Sequence, residues 1–339
     1  MKRFDICALG ELLIDFTENG TSSQGNPLME ANPGGAPCNV LSMMSRQGKK
    51  TAFIGKVGND IFGRQLKAAV EEVGINTEGL VTDEKVNTTL AFVKTLDGGD
   101  REFSFYRNPG ADMMLSEADV NEKPIEDCTI FHFGSLSMTH IVCEAATKKA
   151  VATAKRCNAI ISFDPNLRPP LWKDLETAKE KIAYGISQCD ILKISDNEIA
   201  WFTGENDLEK AAQILKNEYP NIKLLLVSLG KDGSRAYSGN AYAYAPIAKA
   251  KTVETTGAGD TFCGAVLTKV LEHGLRDFSE DELYQMLTYA NTAAGIVTER
   301  KGALRVMPTP QEITMRMREN EKGQPKKFCF RQSTTSRTL

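Results

Sequence analysis

Short apolar runs alternate with amphipathic stripes along most of this 339-residue chain, and that alternation constrains the fold more than any other feature. The runs are Phe4 to Leu9, Thr51 to Val57, Thr129 to Phe133, Ile160 to Phe163, Ile191 to Ile194 and Leu224 to Leu229. They are nearly continuous in apolar residues, as strands buried on both faces must be. Between them the apolar period lengthens: Asp60 is placed to cap a helix whose Phe62, Leu66, Ala69, Val70 and Val73 form one stripe before Gly74 ends it. Strand and helix in alternation predict an α/β fold with a mostly parallel sheet covered on both faces. Thr88 to Tyr106 reads differently: Leu90 and Phe92 alternate with other residues, Asp97-Gly98-Gly99-Asp100 turns, and Phe103 and Phe105 alternate on return, which predicts a hairpin. No internal repeat is found.

Composition narrows the function classes. A chain 41% hydrophobic and 25% charged is an ordinary globular mix, long enough for a sizeable core. Net charge is -3, with pI near 5.8, so there is no basic footprint for nucleic acid or an anionic membrane. Eight cysteines are scattered, with Cys143 and Cys157 the closest pair, so they read as reduced thiols rather than metal ligands or disulfides. The start, Met-Lys-Arg-Phe-Asp-Ile-Cys, runs straight into a strand pattern, and no apolar run approaches the ~18 residues of a membrane span. A cytoplasmic protein without nucleic-acid or membrane partners is the expectation. From Gln311 onward Lys and Arg outnumber acids seven to three and apolar residues thin out, so 311–339 reads as a loosely held basic tail.

The chemistry concentrates in Glu254-Thr255-Thr256-Gly257-Ala258-Gly259-Asp260-Thr261-Phe262-Cys263-Gly264-Ala265. Gly257 and Gly259 let successive N–H groups turn toward an anion, and the amides that open the following helix add partial positive charge. A carboxylate there would repel a bound phosphate, so Asp260 is better suited to accept a proton from an attacking hydroxyl. Gly-Ala-Gly-Asp taken alone fits a loop with a helix cap equally well. The full twelve residues resemble the anion-hole and catalytic-base motif of the ribokinase-like (PfkB) carbohydrate kinases, and the resemblance covers the chain to about Pro310.

That resemblance implies a three-layer sandwich over 1–310, with a small β lid drawn from about 15–33 and 88–108 that covers the sugar and serves as a homodimer clasp. It also assigns residues. Asn32-Pro33-Gly34-Gly35-Ala36-Pro37-Cys38-Asn39-Val40 is similar to the motif in which a glycine pair and an asparagine hold sugar hydroxyls, here Gly34, Gly35 and Asn39, on a helix running to Gly48. Asp15 matches the aspartate that accepts hydrogen bonds from the sugar. Asp164-Pro165-Asn166-Leu167-Arg168 matches the Asp-Pro-Asn-x-Arg motif of fructokinase-like members; Arg168 fits either a surface position or a contact to the transferring phosphoryl group. Lys193 to Glu198 aligns with an Asn-x-x-Glu element on the ATP side whose glutamate orients hydrated Mg2+. Ser195 replaces its asparagine, and Asp196 or Asn197 also fits a simple helix cap. Ser228, Gly230 and Gly233 resemble the nucleotide-side turn. Asn291, on a helix from Asp281 to Thr298, and Lys301-Gly302-Ala303 correspond to the adenine and monovalent-cation side.

One position departs from the pattern: Glu254 stands where the family usually has an aspartate that ligates K+, which leaves the ion's use open. Phe103 to Asp112, including Phe105 and Arg107, together with Asp164 and Asn166, looks most like fructokinases. The expected reaction is ATP-dependent phosphorylation of D-fructose at its 6-hydroxyl. The alternatives are a 2-keto-3-deoxygluconate kinase, with Arg107 or Arg168 against the sugar acid's carboxylate, and a binding or regulatory protein without turnover. A phosphate-loop NTPase is excluded because no Gly-x-x-x-x-Gly-Lys-Ser/Thr occurs. His132, His140 and His273 make no close ligand pair of the kind a metal hydrolase uses.

Overall fold

The computed structural model describes residues 2–95, 101–247 and 250–323. Its strands are β1 (Phe4–Leu9), β2 (Leu13–Thr21), β3 (Pro27–Gly34), β4 (Thr51–Gly58), β5 (Ile75–Asp83), β6 (Leu90–Thr95), β7 (Arg101–Tyr106), β8 (Cys128–Gly134), β9 (Ile160–Asp164), β10 (Ile191–Ser195), β11 (Leu224–Ser228), β12 (Ser234–Ser238) and β13 (Ala241–Ala245). The helices are α1 (Ala36–Arg46), α2 (Ile61–Glu72), α3 (Lys123–Glu126), α4 (Ile141–Arg156), α5 (Leu175–Gln188), α6 (Asp196–Thr203), α7 (Leu208–Glu218), α8 (Ala258–His273), α9 (Glu280–Thr298) and α10 (Pro310–Gly323). None of the described helices is long and apolar enough to cross a membrane.

All six apolar runs become strands of one nine-stranded sheet, in the order β13-β12-β11-β10-β9-β8-β1-β4-β5. Every pairing from β11 through to β5 is parallel; the β11–β12 and β12–β13 pairings are antiparallel, so β12 alone runs against the rest. Alternate side chains feed opposite layers, as a pleated strand requires. Ile6 and Ala8 join the core under α1, α2, α8 and α9, whereas Cys7 and Leu9 join the core under α4, α5, α6 and α7. The result is a three-layer sandwich. Chain order reverses between β1 and β8, so the loops leaving their carboxyl ends diverge and open a crevice, the place where ligands bind in such sheets.

Asp60 caps α2 as expected, its side chain accepting from the Gly63 amide at 2.7 Å. The strands expected to form a lid make a separate sheet in the order β3-β2-β6-β7, antiparallel except for the β2–β6 pair. The expected turn at Asp97-Gly98-Gly99-Asp100 lies outside the described residues.

The basic segment from 311 is not loose at its start. Thr309 and Glu312 cap α10 reciprocally, with Thr309 N donating to Glu312 Oε2 at 2.8 Å and Glu312 N to Thr309 Oγ1 at 3.2 Å. Ile313 is fully buried and Arg316 meets Glu299 at 2.9 Å. A Thr-Pro-x-Glu start and one well-placed apolar residue outweigh the basic composition. Residues 324–339 lie outside the described region.

Candidate active site

The crevice at the carboxyl ends of the parallel strands holds a cavity of ≈ 640 Å³. It gathers expected residues from six separated stretches of chain: Asp15; Gly35 and Asn39; Phe105 and Arg107; Asn166 and Arg168; Lys193, Ser195 and Glu198; and Gly257, Gly259 and Asp260.

Gly257 is the N-cap of α8, with φ 74°, and no side chain caps the helix. Both facts require glycine. L-residues rarely adopt this backbone, and a Cβ here would meet the Ala303 Cβ at 2.6 Å. The Ala258 amide closes the turn onto the Thr255 carbonyl at 3.3 Å, and the uncapped first turn leaves the amides of Gly259 and Asp260 as donors at the cavity edge.

Asp260 accepts a hydrogen bond at Oδ2 from Asn39 Nδ2 at 2.8 Å. Burial pushes its carboxyl above the usual aspartate range, opposed by Asn39, Lys193 and Arg168, which favour the anion. The Oδ1 atom of Asn39 is buried with no partner among the described residues, an acceptor left beside the base.

Behind Gly259 lies Lys193, whose Nζ is 2.9 Å from Asp164 Oδ2, with both side chains buried. Burial opposes its charge, but Asp164, Glu198 and Asp260 outweigh that and hold its pKa above the ordinary lysine value. A Cβ on Gly259 would stand 3.2 Å from Lys193 Nζ, so the cation sits directly under the anion-hole turn. Asp164 itself does not face the cavity; it also accepts from the Asn166 amide at 3.2 Å.

At the wall where the resemblance expects ATP, Ser195 rather than Asp196 or Asn197 caps α6. Its amide and hydroxyl both donate to Glu198 Oε2 at 2.8 Å, and Leu167 N donates to Oε1 at 2.7 Å. Glu198 is thus fixed at the cavity wall and joined to the 164–168 segment. Arg168 is exposed at the rim, its Nη1 donating to the Leu167 carbonyl at 3.3 Å.

At the wall where the resemblance expects the sugar, Asp15 lies near the start of β2, opposite Asn32 in β3. A Cβ on Gly34 would strike its carboxylate, and one on Gly35, at φ 131°, would strike the Glu11 carbonyl. The glycine pair therefore lets two backbone segments close on each other. Arg107 is buried and fully engaged: Nη2 lies 2.6 Å from Asp112 Oδ2, Nε donates to the same oxygen at 2.8 Å, and Nη1 donates to Thr139 Oγ1 at 2.8 Å. It lines the cavity as part of an ion pair rather than as a cation awaiting a carboxylate.

Several expected residues lie elsewhere. Ser228 ends β11, in register with Ser195, and Gly230 and Gly233 lie in the turn that follows; all three are outside the cavity lining. Asn291 is a core residue, not a cavity residue: Ser234 Oγ donates to its Oδ1 at 2.9 Å and its Nδ2 donates to the Ala245 carbonyl at 2.8 Å. Its amide pins β12 and β13 to α9. Glu254 sits behind the anion hole, accepting from Thr256 Oγ1 at 2.5 Å and from Gly302 N at 2.9 Å.

Sequence reasoning missed Glu11, which lines the cavity with 4% exposure and accepts from the Ala36 amide at 2.9 Å. An acid two residues past the end of β1, at the carboxyl edge of a parallel sheet, was the available signal.

Residues 3–310 match the description of the pfkB family carbohydrate kinases. The chain belongs to that family. It is 41% identical to fructokinase-2 of Solanum lycopersicum over 309 residues, 91% of this chain and 94% of that one. Among solved structures, this carbohydrate kinase superposes on fructokinase from Xylella fastidiosa with bound ATP at a TM-score of 0.84 and 29% identity, covering 93% of this chain and 98% of that one. A double-mutant fructokinase from Vibrio cholerae O395, in a form with fructose, ADP and potassium ion bound, gives a TM-score of 0.82 at 25% identity, covering 94% and 99%.

Proposed function

We propose that this kinase transfers the γ-phosphoryl group of ATP to the 6-hydroxyl of D-fructose. The observation that carries the reading is the meeting, in one cavity, of a half-buried Asp260 held by Asn39 and the uncapped amides of α8. The similarity to fructokinases supports the choice of sugar.

The chain's own residues divide the work. Asp15, the Gly34–Gly35 turn and the unpartnered Asn39 Oδ1 receive the sugar hydroxyls. Asp260 takes the proton of the attacking hydroxyl; its raised pKa brings the carboxylate closer to the basicity the step needs. The amides of Gly259 and Asp260 face the transferred group, with Arg168 reaching in from the rim and Lys193 buried beneath. Phe105 and the lid strands cover the sugar and exclude water. Ser228, Gly230 and Gly233 border the nucleotide, and Asn291 supports that border from within.

Among the described residues no cluster of three His, Cys, Asp or Glu suits a metal ion, so Mg2+ fits here only in company with phosphates and water, as its chemistry prefers. Glu198, immobilised by three donors, would orient that hydrated ion, which supplies neutralisation of phosphate charge. K+ fits less well. Both Glu254 oxygens already accept hydrogen bonds, from Thr256 and Gly302, so a cation would have to share them with these donors. Glu254 itself makes the tie between the anion-hole loop and the 302–303 segment.

A sugar acid would not find its counter-ion in Arg107, which is neutralised by Asp112 and bordered by Glu11, and would have to rely on Arg168 at the rim. The reading includes a homodimer through the lid, supported by exposed Leu28, Met29 and Tyr106 on the small sheet, and a cytoplasmic setting, in keeping with seven free thiols among the described residues. The test is ADP release with fructose, ribose, 2-keto-3-deoxygluconate, adenosine and glucose. Fructose should give the highest kcat/KM; a higher value for 2-keto-3-deoxygluconate would transfer the assignment to that kinase, and no turnover with any would leave the binding-protein alternative.

A further inference from the structure

Glu11 belongs to none of the roles above, yet it is placed to govern several of them. It is buried at the cavity floor, and its Oε1 accepts from Ala36 N, the first amide of α1. The N-cap of that helix is Gly35, which makes no side-chain cap bond. Glu11 therefore supplies, from a different part of the chain, the acceptor that glycine lacks. A carboxylate in that position also meets the positive end of the helix. Gly35 must be glycine because of the Glu11 carbonyl, so main chain and side chain of Glu11 both contact the sugar turn. One turn along the same helix Asn39 grips Asp260.

We propose that Glu11 is a positioning residue: its carboxylate fixes the start of α1 and with it the Gly34–Gly35 turn and the Asn39–Asp260 pair on the sugar side. This rests on the kinase reading above. A merely structural cap would hold the helix without distinguishing the two substrates, whereas the proposed role affects the sugar and spares ATP.

The charged and titratable groups facing Glu11 are Arg107, just past β7, Asp112 in the turn that follows, and the Cys38 thiol of α1. Burial pushes the Glu11 carboxyl up to about 7, against its own amide, the Ala36 amide and Arg107, with Asp112 adding to the rise. The carboxyl thus changes charge within the range of an ordinary assay.

The experiment compares the natural protein with Glu11→Gln, which keeps size and an acceptor but removes the charge. Steady-state kinetics with fructose and ATP at pH 8.5 should show fructose KM raised about tenfold, equivalent to about 1.4 kcal/mol and within the range for a charge at a partly buried helix N-terminus, with ATP KM unchanged. Calorimetric fructose binding without ATP, in an Asp260→Asn background that removes the base's own titration, should weaken from pH 8.5 to pH 6. Adding Glu11→Gln should abolish that pH dependence. Equal fructose KM, or a pH dependence that survives Glu11→Gln, overturns the proposal. Should Glu11→Gln fail to fold, Glu11→Asp, one methylene too short for the Ala36 amide, must show the same split between fructose and ATP. A natural protein inactive on fructose would instead overturn the kinase reading.

Discussion

Replacing Asp260 by Asn tests the site most directly, because it alters the base and little else. The amide is nearly the size of the carboxylate, and its oxygen still accepts from Asn39 Nδ2, 2.8 Å away in the natural protein. Lys193 keeps Asp164 at 2.9 Å, so no buried cation is left unpaired. Proton acceptance is what disappears. Lost acid–base catalysis lowers rates by ~10²- to 10⁴-fold, or about 2.7 to 5.5 kcal/mol of barrier at 1.36 kcal/mol per decade. The fall should be confined to kcat in a coupled ADP-release assay, with fructose affinity measured by calorimetry largely retained. Stability should move the other way. Because burial raises the Asp260 pKa in the folded state, folding takes up protons here, and the cost of the anion is fully present once pH exceeds that raised value. Asn removes this cost at pH 8, so the thermal midpoint should hold or rise. A near-natural kcat would remove Asp260 from the chemistry; a lost kcat with a collapsed midpoint would show that the residue supports structure instead.

Two further outcomes follow from the anion-hole loop. Gly257→Ala imposes a left-handed backbone on an L-residue, about 1–2 kcal/mol, and drives a Cβ to 2.6 Å from that of Ala303, an overpacking worth about 1–3 kcal/mol, so urea unfolding should show a loss of about 2–5 kcal/mol; a loss below about 0.5 kcal/mol would refute the loop geometry. Rates in potassium and sodium at equal ionic strength should be the same for the natural protein, since Glu254 already ties Thr256 to Gly302; potassium activation of the natural protein would refute this, and potassium dependence confined to Glu254→Asp would show that the longer side chain has taken over the ion's task.

The sequence alone determined what depends on local pattern. Continuous apolar runs become buried parallel strands because both faces of the sheet are covered, and the β1 run coincides with the strand at Phe4–Leu9. Asp60, Pro37 and Gly257 act within a few residues of themselves, so their places as cap, first-turn residue and helix-opening turn were legible. Local competition went unread at two points: the reciprocal Thr309–Glu312 cap that orders α10 within a basic stretch, and Ser195 as the cap that binds Glu198. What only the tertiary structure decided is how buried charge is shared. Whether an arginine meets a substrate or an aspartate depends on which side chains surround it after folding, and Arg107 has Asp112. Asn291 looked like a ligand contact in one dimension and is a fastening between sheet and helix in three. Glu11 carried no motif at all. Its importance comes from lying against Ala36, 25 residues away in sequence, and a hydrogen bond of that kind is created by the approach of two chain segments that neither segment encodes alone.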